Sequence, residues 1–138
     1  MAVVALINPK VTVAGTDMSG YITAVAFDAE GDELETTNFG SAGWRTYIMG
    51  LKKGEIKISV NDDFAAGLAD SLIWGWFSAG AVITFNVKAT NAANSTSNPE
   101  YQMSVLPSKF SPISGKVGEL ATQDITWPVS GAVTRATA

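Results

Sequence analysis

Gly54-Glu55-Ile56-Lys57-Ile58-Ser59-Val60-Asn61 is followed at once by Asp62-Asp63-Phe64-Ala65-Ala66-Gly67-Leu68 and a run on to Gly80. In the first part Ile56, Ile58 and Val60 point one way, while Glu55, Lys57 and Ser59 point the other. That period of two belongs to a strand with one buried face. The period then changes. Phe64, Leu68, Leu72, Ile73, Trp76 and Phe77 recur at three and four, so the chain is expected to turn helical over about 64–77. Asp62 or Asp63 stands where a carboxylate can accept from the free N–H groups of a first turn, and Gly80 stands where a helix can stop. Alternation returns over Val82–Lys88, with Ile83, Phe85 and Val87 inward.

Outward from this strand–helix–strand core the chain is β in character. Val, Ile and Thr supply 34 of 138 residues against seven Leu, a bias toward side chains that suit pleated, half-buried surfaces. Lys10–Val13 is a short candidate strand. Tyr21–Asp28 has two largely apolar faces, with Ile22, Ala24 and Ala26 on one and Tyr21, Val25 and Phe27 on the other. A strand of that kind needs cover on both sides, and a second subunit could supply one of them. Tyr101–Val105 alternates through Met103. Val117–Trp127 alternates more loosely, and Pro128 marks an end or an edge. Ala89–Asn98 is a polar loop. The expectation is one domain over 1–138, mostly β: a β-sandwich or partial barrel with one flanking helix and a long loop over about 29–54.

Composition excludes much chemistry. There is no Cys and no His, so thiolate nucleophiles, Cys-type metal sites and the commonest general base are absent. Nine basic and thirteen acidic residues leave a net charge of -4, the reverse of a nucleic-acid-gripping balance. No phosphate loop, dinucleotide fingerprint or nucleophile elbow occurs. Asp62-Asp63 and the Glu30–Glu35 cluster are the carboxylates that could serve a glycosidase, but a helix cap and a solvated loop account for them better. Asp28, Glu30 and Asp32 offer oxygens for calcium without the full loop pattern. The expectation is no enzyme, no cofactor and no metal. Met1–Ile7 is apolar but far too short to span a bilayer, and no membrane partner is expected.

The long stretch 29–54 holds the candidate functional residues. A connection of this length in a compact domain is usually functional or ordered by a partner. Phe39, Trp44, Arg45, Tyr47, Met49 and Leu51 are the candidate inter-subunit contacts, because aromatic and Arg side chains anchor interfaces. Glu30, Asp32, Glu33 and Glu35 are the candidates for electrostatic repulsion of a passing polyanion. Trp76 and Trp127 read as core. Trp44 and Trp74 are less settled and leave a carbohydrate-binding surface open.

Several stretches together resemble the major tail tube protein of long-tailed, non-contractile bacteriophages. They are Val11-Thr12-Val13-Ala14-Gly15-Thr16-Asp17-Met18-Ser19-Gly20, Glu35-Thr36-Thr37-Asn38-Phe39-Gly40, Gly50-Leu51-Lys52-Lys53-Gly54-Glu55, Asp62-Asp63-Phe64-Ala65-Ala66-Gly67, and Asn98-Pro99-Glu100-Tyr101. Gly115-Lys116-Val117-Gly118-Glu119-Leu120 and Trp127-Pro128-Val129-Ser130-Gly131 close the set. Each is loose; their number and order carry the likeness. The resemblance implies a structural virion protein. Its copies would close into rings, taken to be hexameric, whose strands join into a continuous barrel. Rings would stack into a tube conducting DNA without binding it. The partners implied are further copies of the chain, with tape measure, terminator and distal tail proteins. Its place would be the virion tail, with the host cytoplasm during assembly. Rival readings are a capsid decoration or tail-terminator protein and a carbohydrate-binding β-sandwich. Two polar strand faces compete for the lumen: Glu55, Lys57 and Ser59, or Thr84, Asn86 and Lys88.

Overall fold

The computed structural model describes residues 3–138. Eight strands and one helix follow in order: β1 Lys10–Val13, β2 Thr16–Asp17, β3 Ile22–Glu35, β4 Tyr47–Asn61, α1 Ala69–Ala79, β5 Ile83–Lys88, β6 Glu100–Val105, β7 Thr122–Pro128 and β8 Thr134–Ala136. They form two antiparallel sheets, one ordered β2-β1-β5-β6-β8 and the other β3-β4-β7. The fold is therefore mostly β with one helix, and among the described residues neither sheet closes into a barrel.

The alternation of the sequence explains the packing. Val11 and Val13 from β1, Phe85 from β5, and Met103 and Val105 from β6 point inward from the large sheet. Ile56, Ile58 and Val60 from β4, with Ile125 and Trp127 from β7, meet them from the small sheet. Ala69 and Ile73 bring α1 onto the same cluster. Each of these side chains is almost wholly removed from water, and burying a residue of this size contributes roughly 1.5–3 kcal/mol. Gln123 is the polar exception, fully buried between two hydrogen bonds: its amide donates to Asp62 and its oxygen accepts from the Ser111 backbone.

Four expectations need correction. The stretch 29–54 is not a loop. It is the distal part of a long β-hairpin in which β3 pairs with β4 from Ile22↔Val60 out to Glu35↔Tyr47. Its polar, charged composition masked the strands because no core-facing row exists there to set a period. The helix begins at Ala69 rather than at 64. Gly67 sits in the left-handed region at φ +78 and breaks any earlier helix; Leu68 is the N-cap and makes no side-chain cap. Asp63 instead accepts from the Ala65 backbone in the preceding turn. Gly80 does end the helix, at φ 66 with its N–H donating to the Trp76 carbonyl. The last long strand starts at Thr122, after a turn at 117–119, rather than at Val117. Finally, Ile22 does not share a face with Ala24 and Ala26. A bulge between them moves Ile22 to the core beside Val25 and Phe27, and leaves the two alanines outside.

Candidate functional site

From Asp28 to Lys53 no side chain is buried, so the distal hairpin stands free of the sandwich as an arm. Its two faces follow from the register. Glu30 pairs with Lys53, and Leu34 with Ile48, on the face that continues the outside of the small sheet. Gly31, Glu33 and Glu35 alternate onto the opposite face, with Met49 and Tyr47 across from the two glutamates. A second bulge between Gly31 and Glu33 adds a residue to β4 near Leu51. Met49 lies over Gly31: a Cβ built there would meet its Sδ at 2.7 Å, so the arm needs a glycine at this crossing unless the flexible thioether shifts.

The tip is an ordered loop. Thr36 and Thr46 close it, with the Thr36 N–H donating to the Thr46 carbonyl at 2.8 Å and the two hydroxyls 2.8 Å apart. Asn38 caps a 3₁₀ turn over Phe39–Ser41. Its side chain accepts from Gly40, and the Ser41 hydroxyl accepts from the Asn38 N–H. Ala42 and Gly43 then both take positive φ, 52° and 84°. For Ala42 that conformation costs about 1 kcal/mol, which local hydrogen bonds must offset because nothing in the turn is buried. The geometry pushes Phe39 fully into solvent and leaves Trp44 78% exposed. Tyr47, Ile48, Met49 and Leu51 are exposed beside them, and so is Arg45.

The four acidic candidates do not form one patch. Glu30 and Asp32 lie on the outer face and Glu33 and Glu35 on the other. Glu30 is bonded to Lys53 at 3.0 Å, and this carboxylate is the main reason the Lys53 pKa lies above its ordinary value. Asp28, Glu30 and Asp32 run along one strand, and among the described residues no three acidic, His or Cys side chains gather as a metal group needs. The outer face of the small sheet continues inward from the arm. It carries Ala24, Ala26 and Asp28 from β3, Glu55, Lys57 and Ser59 from β4, and Asp124 and Thr126 from β7. Lys57 pairs with Glu55 at 3.3 Å, and Ser59 donates to Asp124 at 2.7 Å. The rival polar row is partly covered: Lys88 is buried, and its ammonium donates to Asn94 at 3.1 Å. The polar loop that covers it is folded around Asn98, whose amide donates to the carbonyls of Thr90, Ala92 and Ala93.

The tryptophans separate cleanly. Trp127 is fully buried, and Trp76 packs on the core. Trp74 is exposed on α1, while Trp44 is on the hairpin tip, so the two do not make a joint platform for a sugar. Sequence reasoning missed further exposed apolar side chains. Phe110 and Ile113 lie in a segment whose Ser and Pro content gives no periodic signal, while Val117 and Leu120 fall in the loose alternation expected of a strand from Val117; Ile113, Val117 and Leu120 are exposed.

The architecture is thus a two-sheet β-sandwich with one helix and a projecting hairpin. No protein-family model matches the sequence, and no curated protein matches it. Solved structures do share the fold. A chain of one described as "Virion of native gene transfer agent (GTA) particle" superposes with a TM-score of 0.78 at 14% identity, over 97% of this chain and 99% of that one. A chain of another, described as "Tail of empty GTA particle computed with helical refinement, C6 symmetry", gives 0.68 at 15% identity over 94% of each.

Proposed function

We propose that the chain is a structural subunit of a phage-like tail tube, not an enzyme, whose copies close into rings of six and stack into a conduit for DNA. The observation that carries this is the end-to-end coincidence of its fold with a chain of a gene transfer agent virion, covering 97% of this chain and 99% of that one. The likeness to a chain of a C6-symmetric tail supports the ring number. The small sheet supports ring closure. Its outer strands are β3, of 14 residues, whose edge is open, and β7, of 7, whose edge is open only in the middle because Leu106 donates to Pro128 at one end and Thr122 donates to Ser114 at the other. The large sheet ends in strands of two and three residues, too short to template a neighbour. Joining β3 of one copy to β7 of the next would close a barrel from small sheets alone, with the Glu55-Lys57-Ser59 face toward the lumen. Lysines on a DNA-facing wall are then acceptable because each is held by a glutamate, while Asp28, Asp32 and Asp124 remain in excess.

In this assembly Phe39, Trp44, Arg45, Tyr47, Met49 and Leu51 contact a neighbouring subunit. Tape measure, terminator and distal tail proteins are the heterologous partners, and the site of action is the virion tail after assembly in the host cytoplasm. Negative-stain microscopy of the purified chain is the test, with the subunits per ring counted in end views. Tubes with six units per ring are expected. Closed small oligomers without stacking would favour a decoration or terminator protein, and a persistent monomer at high concentration would sink both.

A further inference from the structure

The arm has one weak place, and one side chain covers it. The β3–β4 ladder shifts between Gly31↔Lys52 and Glu33↔Met49, so Asp32 on one strand stands against Gly50 and Leu51 on the other. A bulge of this kind interrupts the ladder and bends the strand. Gly31 brings no side chain of its own to the site. The Met49 thioether lies over it: from the position that a Gly31 Cβ would take, Sδ, Cγ and Cε are 2.7, 2.8 and 3.2 Å away. Met49 has no core beneath it and keeps 65% of its surface in water. The sulfur chemistry of the chain falls on the same residue. There is no Cys, and the methionines are Met1, Met18, Met49 and Met103. Met18 and Met103 are closed inside the sandwich, and Met1 lies outside the described residues. Among the described residues, Met49 therefore carries the one sulfur open to solvent.

We propose that Met49 is an oxidation site, a clasp across the arm's bulge that a peroxide opens. A sulfur lone pair attacks one oxygen of hydrogen peroxide, and the S–O bond forms as the O–O bond breaks. The transferred oxygen gives its proton to the departing hydroxide, which leaves as water. Sulfur is oxidised by two electrons and the peroxide is reduced by two. Because Gly31 closes one side of the sulfur, the oxygen arrives from the solvent side and one of the two sulfoxide epimers dominates. An apolar, flexible thioether has then become a polar, chiral group. The new S–O group only accepts hydrogen bonds, and so does the ionised carboxylate of Glu33, its cross-strand partner. Water solvates the sulfoxide better than the Gly31 peptide does. The side chain lifts away, and the bulge loses its cover. Reduction by an epimer-specific sulfoxide reductase restores it.

The test treats the full-length chain with hydrogen peroxide and maps its peptides by mass spectrometry. Met49 is expected to oxidise at least about tenfold faster than Met18 and Met103, whose sulfurs are reached only when the sandwich opens. Amide hydrogen exchange of the oxidised chain is expected to speed at least about threefold over 31–35 and 47–51, to stay unchanged in β5 and β6, and to return after reductase treatment. Met49→Leu keeps the apolar bulk without the sulfur, and peroxide is expected to leave its exchange where it was. Equal oxidation rates at the three methionines would overturn the proposal, and so would an arm whose exchange is unchanged once Met49 is oxidised. Equal susceptibility of the product to the two epimer-specific reductases would mean that the thioether does not rest on Gly31, with the same result. Loosening of peroxide-treated Met49→Leu would place the damage elsewhere and refute the clasp. Every measurement is made on the free chain, so the outcome stands apart from whether the chain forms tubes.

Discussion

Substitutions at Trp127 and Trp44 are expected to separate stability from assembly in the proposed tube. Trp127 has no exposed surface, and its indole N–H holds the Lys109 carbonyl at 3.0 Å. Trp127→Phe removes that donor and leaves a void of roughly 40 Å³, which at about 24 cal/mol per Å³ costs near 1 kcal/mol. The abandoned carbonyl adds about 1–3 kcal/mol if no water reaches it. The expected loss is thus about 2–4 kcal/mol, a large share of the roughly 5–15 kcal/mol that holds a domain together. Urea unfolding followed by far-UV circular dichroism reads the loss as a lower midpoint at unchanged slope. Far-UV detection is needed because the variant removes an indole chromophore. Trp44→Ser, at a side chain 78% exposed, is expected to change stability by less than about 0.5 kcal/mol and to abolish tubes. A loss below about 1 kcal/mol for Trp127→Phe would mean that segment 106–114 is not anchored through this bond. Unfolding by Trp44→Ser would mean that the tip is not a free surface.

Asp62 offers a pH test. Burial raises its pKa, the Gln123 hydrogen bond opposes the shift, and the nearby Asp70 charge adds to it. The folded chain therefore holds its proton to higher pH than the unfolded chain, so this group's contribution to stability falls as pH rises from the ordinary carboxylate range through the raised value. Asp62→Asn should flatten that slope and raise the melting temperature near neutral pH but not well below the carboxylate range; an equal shift at both would refute the assignment. Gly80→Ala forces a Cβ into the left-handed cap at φ 66 and should cost about 1 kcal/mol in chemical denaturation. Neutralising Glu30, Asp32, Glu33 and Glu35 together to Gln and Asn should leave tubes intact while increasing DNA retention on them in a salt-dependent binding assay. Unchanged retention would clear this cluster of the role. Hydrogen exchange over 29–51 should slow on assembly, and equal protection before and after would remove the arm from the interface.

The sequence was legible where a buried row set the period. Ile56-Lys57-Ile58-Ser59-Val60 and Ile83–Lys88 appear as strands because alternate side chains enter the core. Lys10–Val13 was found to the residue. The arm was not legible for the same reason: with no core beside Asp28–Lys53, nothing in the sequence distinguishes paired strands from a charged loop. The helix start was misplaced because Phe64 and Leu68 keep a helical spacing that Gly67 breaks. The contact candidates Phe39 and Trp44 could be named from residue type alone. The aromatic cluster of Phe110 with Trp74 and Phe77 could not, because it is assembled by α1 and a distant segment that meet only in the fold.

The excess of acid over base also acquires a location. In the proposed tube, the lumen face of each copy sets Asp28, Glu30, Asp32, Glu55 and Asp124 against Lys53 and Lys57, so three negative charges remain after the pairs are formed. At physiological salt such a charge acts over only about 8–10 Å. It cannot drive a polyanion along a channel from a distance, but it acts where DNA would touch the wall. A lysine without its glutamate would be a counterion for phosphate, and repeated in every subunit it would become a row of binding sites. In that tube the glutamates at 3.0 and 3.3 Å would have a clearer role than the acidic count alone suggested: they would occupy the lysines before DNA can. Glu30→Gln and Glu55→Gln should each make assembled tubes retain more DNA at low salt, with the effect fading as salt rises. Retention that is unchanged in both, with tubes intact, would place this face on the outside.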